Sequence, residues 1–319
     1  MRPKFYSPNR AGDLYLTRDE KILAEATNYK KNFKKVSGSE RIALFIIDPE
    51  IDFCLPGGSL YVQGAEADTA RLCEFIYDNM QSIGRVYCCL DTHKAYQIFF
   101  SSFWQNEKGD YPNHYTVITA KDIKTGKWSA RGGASDTAIA LAYVEMLEQT
   151  ENYALIIWPF HSRKASVGQA IVPLLSETLL FYELMTDTDV IYKEKGGYSY
   201  TENYSVFSPE VKQVTISENQ LTLGRFDDDF MTEILSYDRI YVAGQASSHC
   251  IKATLEDILH YIRANELDAA VAQKFYILED CMSPVSAASI DFPAIAKRAL
   301  EKFANSGMKV ISSTVQVNR

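Results

Sequence analysis

The stretch Arg239-Ile-Tyr-Val-Ala-Gly-Gln-Ala-Ser-Ser-His-Cys250, continuing to Ile258, constrains the fold more than any other part of the chain. Ile240 to Ala243 is a short apolar β-forming run bounded by Gly244, as a strand buried on both faces reads. From Cys250 onward, Ile251, Leu255, Ile258 and Leu259 recur as on an amphipathic helix. Between them lie the small residues Ala246, Ser247 and Ser248, either serine being able to cap the helix. Strand, tight turn and helix therefore put a cysteine on the first helical turn, where free N–H groups and the helix dipole favour thiolate. A buried structural cysteine is the bland alternative.

The same punctuation recurs along the chain. Arg41 to Ile47 is an apolar strand that stops on Asp48, and Val86 to Leu90 stops on Asp91, with His93 two residues on. Ala67–Ile83, Asp136–Gln149, Val167–Tyr182, Asp227–Leu235 and Phe292–Ala304 carry helical spacing. Asp189–Tyr192, Phe275–Leu278 and Lys309–Ile311 read as strands, and Gln213–Leu223 as a small hairpin. Ala154–Trp158 runs into Pro159, as an edge strand or an extended loop would. Strands alternating with helices imply a parallel sheet that binds ligands at the carboxyl ends of its strands. Both acids then point to the functional edge. Residues 1–40 form a leader with one helix, Asp19 to Phe33, ahead of a single domain over 41–319. Within that domain, about 94–135 is aromatic-rich, irregular and full of turn markers, so it reads as an insertion over the edge.

A net charge of -8 leaves no basic face for nucleic acid or anionic lipid. The first residues lack the apolar core of a signal peptide, and no apolar run approaches membrane-spanning length. Six scattered cysteines, two of them adjacent (Cys88, Cys89), read as reduced thiols and a cytoplasmic location. The expected partner is a small molecule, with neither nucleic acid nor membrane, and a homo-oligomer is left open.

Five ordered motifs resemble the isochorismatase-like cysteine hydrolases, and within them the nicotinamidases. Asp48-Pro-Glu-Ile-Asp52-Phe53 followed by Pro56-Gly-Gly-Ser-Leu60 is similar to that family's D-x-Q-N-D-F and P-G-G-S-L. Asp91-Thr-His93 resembles D-W-H, and Trp158-Pro-Phe-His161 resembles W-P-x-H. Lys195-Gly196 with Tyr204-Ser205-Val206-Phe207 resembles K-x-x and Y-S-x-F, and Val242 to Cys250 resembles V-x-G-x-x-x-x-x-C. Residues 41 to about 312 are covered.

The resemblance implies a three-layer α/β/α fold around a mostly parallel sheet of about six strands. It implies a triad of Asp48, Lys195 and Cys250, in which Asp48 takes the thiol proton and Lys195 holds the charge. It implies an oxyanion site at the backbone N–H groups of Ala246 and Cys250, with a cis peptide before Ala246. Asp91, His93 and His161 become a face for a divalent transition metal, zinc first. The implied reaction cleaves a small amide, nicotinamide first, through a thioester on Cys250. Another amide, a ureido group or a vinyl ether remains an alternative, as does a catalytically silent scaffold. Read singly, Asp48 could be a turn aspartate, Lys195 a solvated lysine and Phe53 a core residue as readily as a ring-stacking one. His249 is discounted as a base for Cys250, because helix neighbours do not face one another. His114 and His260 read as surface residues.

Several positions depart from the family pattern. Glu50-Ile51 replaces Gln-Asn, Thr92 replaces a tryptophan, Gln97 stands where histidine is common, and Ser162-Arg163 replaces Cys-Val. With the tryptophan gone, Phe100 or Trp104 of the cluster Phe99, Phe100, Phe103 and Trp104 is expected to fold back as the missing pocket wall. The alternative is that these aromatics only anchor the insertion to the domain, or pack against a second subunit of a homo-oligomer.

Overall fold

The computed structural model describes residues 2–34, 40–150, 153–286 and 290–317; residues 35–39 of the leader lie outside the described residues. Six strands form the central sheet: β1 (Ile42–Ile47), β2 (Arg85–Asp91), β3 (Ile191–Lys195), β4 (Arg239–Gly244), β5 (Phe275–Leu278) and β6 (Lys309–Ile311). Their spatial order is β6-β5-β4-β1-β2-β3, and every pairing in it is parallel. The helices that cover the sheet are α1 (Asp19–Lys30), α2 (Ala65–Asn79), α3 (Ala134–Thr150), α4 (Pro173–Thr186), α5 (Asp228–Leu235), α6 (Cys250–Ala264) and α7 (Phe292–Asn305).

Strand β1 shows why the sheet needs two covering layers. Ile42, Leu44 and Ile46 project into one apolar cluster, Ala43, Phe45 and Ile47 into another, and all six are buried. The first cluster takes Leu72 and Ile76 of α2, Leu175 and Leu179 of α4, and Ile22 of α1. The second takes Ile234 of α5, Leu255 and Ile258 of α6, and Phe303 of α7. The result is the three-layer α/β/α arrangement. The chain winds outward from β1 through β2 to β3, then returns to the other side of β1 for β4 to β6. Ligands of open α/β sheets bind where the strand order reverses, here between the carboxyl ends of β1 and β4.

Three local expectations change, and the alternative left open at Ala154–Trp158 resolves to an extended loop entry. Helical spacing from Val167 yields only a single turn at Val167–Gln169, and α4 begins at Pro173. Backbone bonds to the segment after β1 (Ile51 N to Ala170 O, 2.9 Å; Val172 N to Pro49 O, 3.1 Å) hold 170–172 extended, and proline suits the first helical position. Strand β3 lies further on than 189–192, pairing Tyr87–Asp91 with Ile191–Lys195, so that Lys195 stands level with Asp91. Ala154–Trp158 joins no named strand; Ile156 and Trp158 make single bridges to Val117 and Phe100. Neither Ser247 nor Ser248 caps α6, whose N-cap is His249 without a side-chain bond.

Segment 94–135 builds a third apolar cluster with α3 and residues 155–158, around Phe99, Phe103, Trp104 and Tyr143. It contributes a two-stranded pairing of Trp104–Gln105 with Ser129–Ala130 and a short helix, Ala120–Lys124.

The leader is built into the domain. Phe5, Ala11, Ile22 and Ala26 are buried in the first cluster. Arg18 closes the joint: its Nε and Nη2 donate to the two carboxylate oxygens of Glu177 at 2.8 and 2.5 Å, and its backbone N–H donates at 3.0 Å. Burial alone would raise the Glu177 carboxyl, but the Arg18 bonds outweigh it and hold the group below its usual value. Removing Arg18 leaves a buried carboxylate without its counter-charge, so Arg18→Ala should cost roughly 3 kcal/mol. A folded-state value below the unfolded one stabilises above about pH 4.5 and ceases to as pH falls through the lowered value. Thermal melts should therefore separate wild type from R18A at pH 7, and the gap should close below pH 4.

Candidate active site

The reversal point brings together side chains from four strand ends. Asp48 follows β1 directly with φ +47°, a left-handed conformation that aspartate tolerates better than most residues. Lys195 ends β3, Asp91 ends β2, and Cys250 opens α6 after the turn from β4. Gly244 in that turn has φ +121°, and a Cβ there would lie 1.9 Å from the Ile47 carbonyl oxygen, so only glycine lets β4 turn beside β1.

Lys195 is the hub. Its Nζ lies 3.0 Å from Asp48 Oδ2, 3.0 Å from Asp91 Oδ1, 3.1 Å from the Asn203 carbonyl oxygen and 3.6 Å from Cys250 Sγ. Burial works against its charge, but Asp48 and Asp91 outweigh that, and its pKa is raised well above the ordinary lysine value. Burial pushes Asp48 up, Lys195 draws it back, and the carboxyl comes to about 7. Burial, followed by the Asp48 charge, raises the pKa of the Cys250 thiol well above the free value. This corrects the expectation from the helix terminus. Desolvation outweighs the dipole, and the resting group is a thiol beside a base. Cys250 is 7% exposed, whereas Cys54 and Cys281 are 1% exposed and Cys73, Cys88 and Cys89 not at all, so it is the accessible thiol of the six.

The Gln245–Ala246 peptide is cis. The backbone N–H groups of Ala246 and Cys250 find no acceptor among the described residues, while His249 N and Ile251 N both bond to the Ala246 carbonyl. Two donors without an acceptor among the described residues thus belong to residues that line the cavity.

Asp91, His93 and His161 offer ligand atoms that all lie within 4.8 Å of one another. His93 Nε2 is 2.8 Å and His161 Nε2 3.8 Å from Asp91 Oδ2. The Nδ1 of His93 sits 3.1 Å from the Gly196 carbonyl, and that of His161 2.7 Å from the Pro159 carbonyl. Each carbonyl takes an Nδ1–H, the tautomer that turns the Nε2 lone pair toward the carboxylate. Burial and then His93 lower His161 to about 4, so it is neutral. Gly196, at φ +80°, passes behind the group; a Cβ there would come within 2.4 Å of Asp91 Oδ1 and 2.7 Å of His93 Cε1. One carboxylate and two imidazoles facing one point fit a divalent metal ion.

A cavity of about 450 Å³, its mouth included, opens onto Cys250, Asp48, Asp91 and His161. Phe53 lines it and meets the His161 ring edge-on at 5.4 Å. Phe100 and Trp104 do not line it, which corrects the expected wall. Trp104 is fully buried with its indole N–H donating to the Ile98 carbonyl at 2.6 Å, and Phe100 packs behind His93 and His161 at 5.6 and 5.4 Å. The indole in the cavity is Trp158. Gln97 is turned away, donating to the Gly196 and Tyr198 carbonyls. Asp52 accepts the Ser162 N–H at 2.8 Å and so fixes the segment after His161. Glu50 is buried with both carboxyl oxygens unpartnered among the described residues. His114 and His260 are exposed.

Glu202, Tyr204 and His249 also line the cavity. Tyr204 belonged to a motif already noted; Glu202 sits two residues before it and carried no signal of its own. His249 is neutral, burial lowering it to about 3, and its Nδ1 pairs with Ser248 Oγ.

No protein-family model matches the chain. The nicotinamidase of Saccharomyces cerevisiae is 23% identical over 268 residues, 84% of this chain and 98% of that protein. The structure of the yeast nicotinamidase with the inhibitor nicotinaldehyde superposes with a TM-score of 0.54 at 20% identity, covering 85% of this chain and 99% of that one. A nicotinamidase/pyrazinamidase of Acinetobacter gives 0.54 at 16% identity over 87% and 99%. The Leishmania infantum protein in complex with nicotinate gives 0.50 at 18% identity over 89% and 99%. With its motifs in order and its sheet wound as theirs is, the chain is similar in sequence to the yeast nicotinamidase and shares the fold of the nicotinamidase structures.

Proposed function

We propose that the chain is a cysteine amidohydrolase that cleaves a small aromatic amide, nicotinamide first, through a thioester on Cys250. The observation that carries this reading is the convergence of Lys195 on Asp48, Asp91 and Cys250 beside a cavity with two free backbone donors. The relatives' ligands, nicotinaldehyde and nicotinate, support the same ring.

Asp48, with a pKa near 7, takes the proton of Cys250, and the sulfur attacks the amide carbon. The Ala246 and Cys250 N–H groups hold the oxyanion, and Lys195 keeps its positive charge beside the newly neutral Asp48. Asp48 returns the proton to nitrogen, the C–N bond breaks, and ammonia leaves. Water then gives a proton to Asp48 and its oxygen to the acyl carbon, the C–S bond breaks, and Asp48 reprotonates the sulfur. Asp91, His93 and His161 would hold the metal, zinc first, which when bound supplies a Lewis-acidic contact for the ring nitrogen. Among the described residues no helix is long and apolar enough to cross a membrane, and a cytoplasmic location is part of the proposal.

Ammonia release measured across nicotinamide, pyrazinamide, benzamide and a ureido compound tests the reading. The expected order puts nicotinamide first; release from none of the carboxamides would overturn it.

A further inference from the structure

Three acids line the cavity: Asp48 belongs to the triad, Asp91 to the metal face, and Glu202 to neither. The Glu202 backbone is pinned on both sides. Its N–H donates to the Tyr143 hydroxyl on α3 at 3.2 Å, and its carbonyl accepts from Glu210 N at 2.9 Å and the Thr201 hydroxyl at 3.1 Å. Its side chain gathers two of the cavity's rings. Oε1 accepts the Trp158 indole N–H at 3.0 Å and the Tyr204 hydroxyl at 3.2 Å, while the indole nitrogen is also 3.2 Å from the Tyr204 oxygen. The three groups form a closed triangle around one acceptor atom. Both rings then meet His249, Trp158 at 5.8 Å and Tyr204 at 5.2 Å between centroids, immediately before the nucleophile's helix.

We propose that Glu202 is a positioning residue: its Oε1 fixes Trp158 and Tyr204 as the aromatic wall against which a flat ring amide binds. The inference rests on the reading of this cavity as an amide site. The Tyr204 oxygen can accept the indole N–H by itself, at 3.2 Å, but only Glu202 Oε1 takes both hydrogens and so ties the two rings to the backbone held by Tyr143 and Glu210. Burial, and then the Asp91 charge, push the Glu202 carboxyl well above the usual carboxylate range, so the acceptor is an uncharged acid. Glutamine offers the same oxygen at the same reach with no charge. Leucine keeps most of the volume and removes the acceptor.

The test compares wild type, Glu202→Gln and Glu202→Leu on nicotinamide, by steady-state kinetics and by calorimetric binding to the same forms carrying Cys250→Ser. E202Q should match wild type within about twofold in KM and Kd. E202L should raise both about tenfold, with kcat changed less than threefold, the pattern of lost ground-state positioning. Tyr204→Phe, which removes one donor and leaves the ring, should raise KM in the same direction, and it decides the matter if E202L does not fold. An unchanged KM and Kd in E202L, or in Y204F if E202L does not fold, overturns the proposal. So does a fall in E202Q equal to that in E202L, or a loss confined to kcat. Should the enzyme with Cys250 intact release no ammonia, the amidase reading fails by itself, and the calorimetric comparison still decides the role of Glu202.

Discussion

Cys250→Ala is expected to lower ammonia release from nicotinamide by at least about 10⁴-fold while leaving the thermal melt within a few degrees of wild type. The sulfur is the atom that forms the acyl bond in the proposed reaction, and alanine removes it with little change in volume. Asp48→Asn should cost a similar factor, because asparagine accepts no proton and leaves the buried Lys195 with one carboxylate instead of two. The pH profile separates the two roles. Asp48 must be ionised to receive the thiol proton, so kcat/KM should rise with pH through about 7 and then level off. No fall should follow in the mildly alkaline range, since Lys195 keeps its charge well above its ordinary value. Activity that declined from pH 6 to 8, or a C250A variant retaining a tenth of the rate, would remove the mechanism.

What the sequence made legible is what the sheet repeats. Strands β1, β2 and β4 announce themselves by an apolar run that ends on a charged or small residue, because inner parallel strands are buried on both faces and ligands meet their carboxyl ends. Asp48 and Asp91 close such runs and Cys250 follows one, whereas Lys195 ends the polar edge strand Ile191–Lys195 and is marked by its motif; the structure brings the four within one cluster. The cavity wall obeys no such rule. Trp104 and Trp158 are both apolar aromatics near motif residues, and nothing in local spacing says which meets the ligand. Both belong to the third cluster, but Trp104 is fully enclosed there with its indole N–H on the Ile98 carbonyl, whereas Trp158 is held at the cavity by its bonds to Glu202 and Tyr204. The protonation of Cys250 escapes a reading of local sequence for a related reason. A helix terminus is visible in sequence, but the desolvation that outweighs it depends on every layer around the residue.

His161→Ala should lower bound metal from about one ion per chain to near none, and with it kcat/KM for nicotinamide by about 10²-fold or more. His161 is the informative ligand to remove. Asp91 also neutralises Lys195 at 3.0 Å, so Asp91→Ala would disturb the triad and the metal face together. His161 touches no member of the triad: its Nδ1 is satisfied by Pro159, and its ring is flanked by Phe53 and Phe100. Elemental analysis of protein purified without chelator reads the metal directly, independent of turnover. In wild type, chelation followed by dialysis should reproduce the H161A rate, and added zinc should restore activity to wild type but not to H161A. The pH dependence adds a check without metal analysis. Burial and His93 hold His161 near 4, so its Nε2 lone pair stays free throughout the neutral range, and metal retention should be flat from pH 6 to 8. Below about pH 5 protonation competes for the same lone pair and the ion should be lost, in step with activity. A metal-free wild type with full activity would dissociate the three-ligand face from the reaction and leave Asp91 as the counter-charge of Lys195 alone.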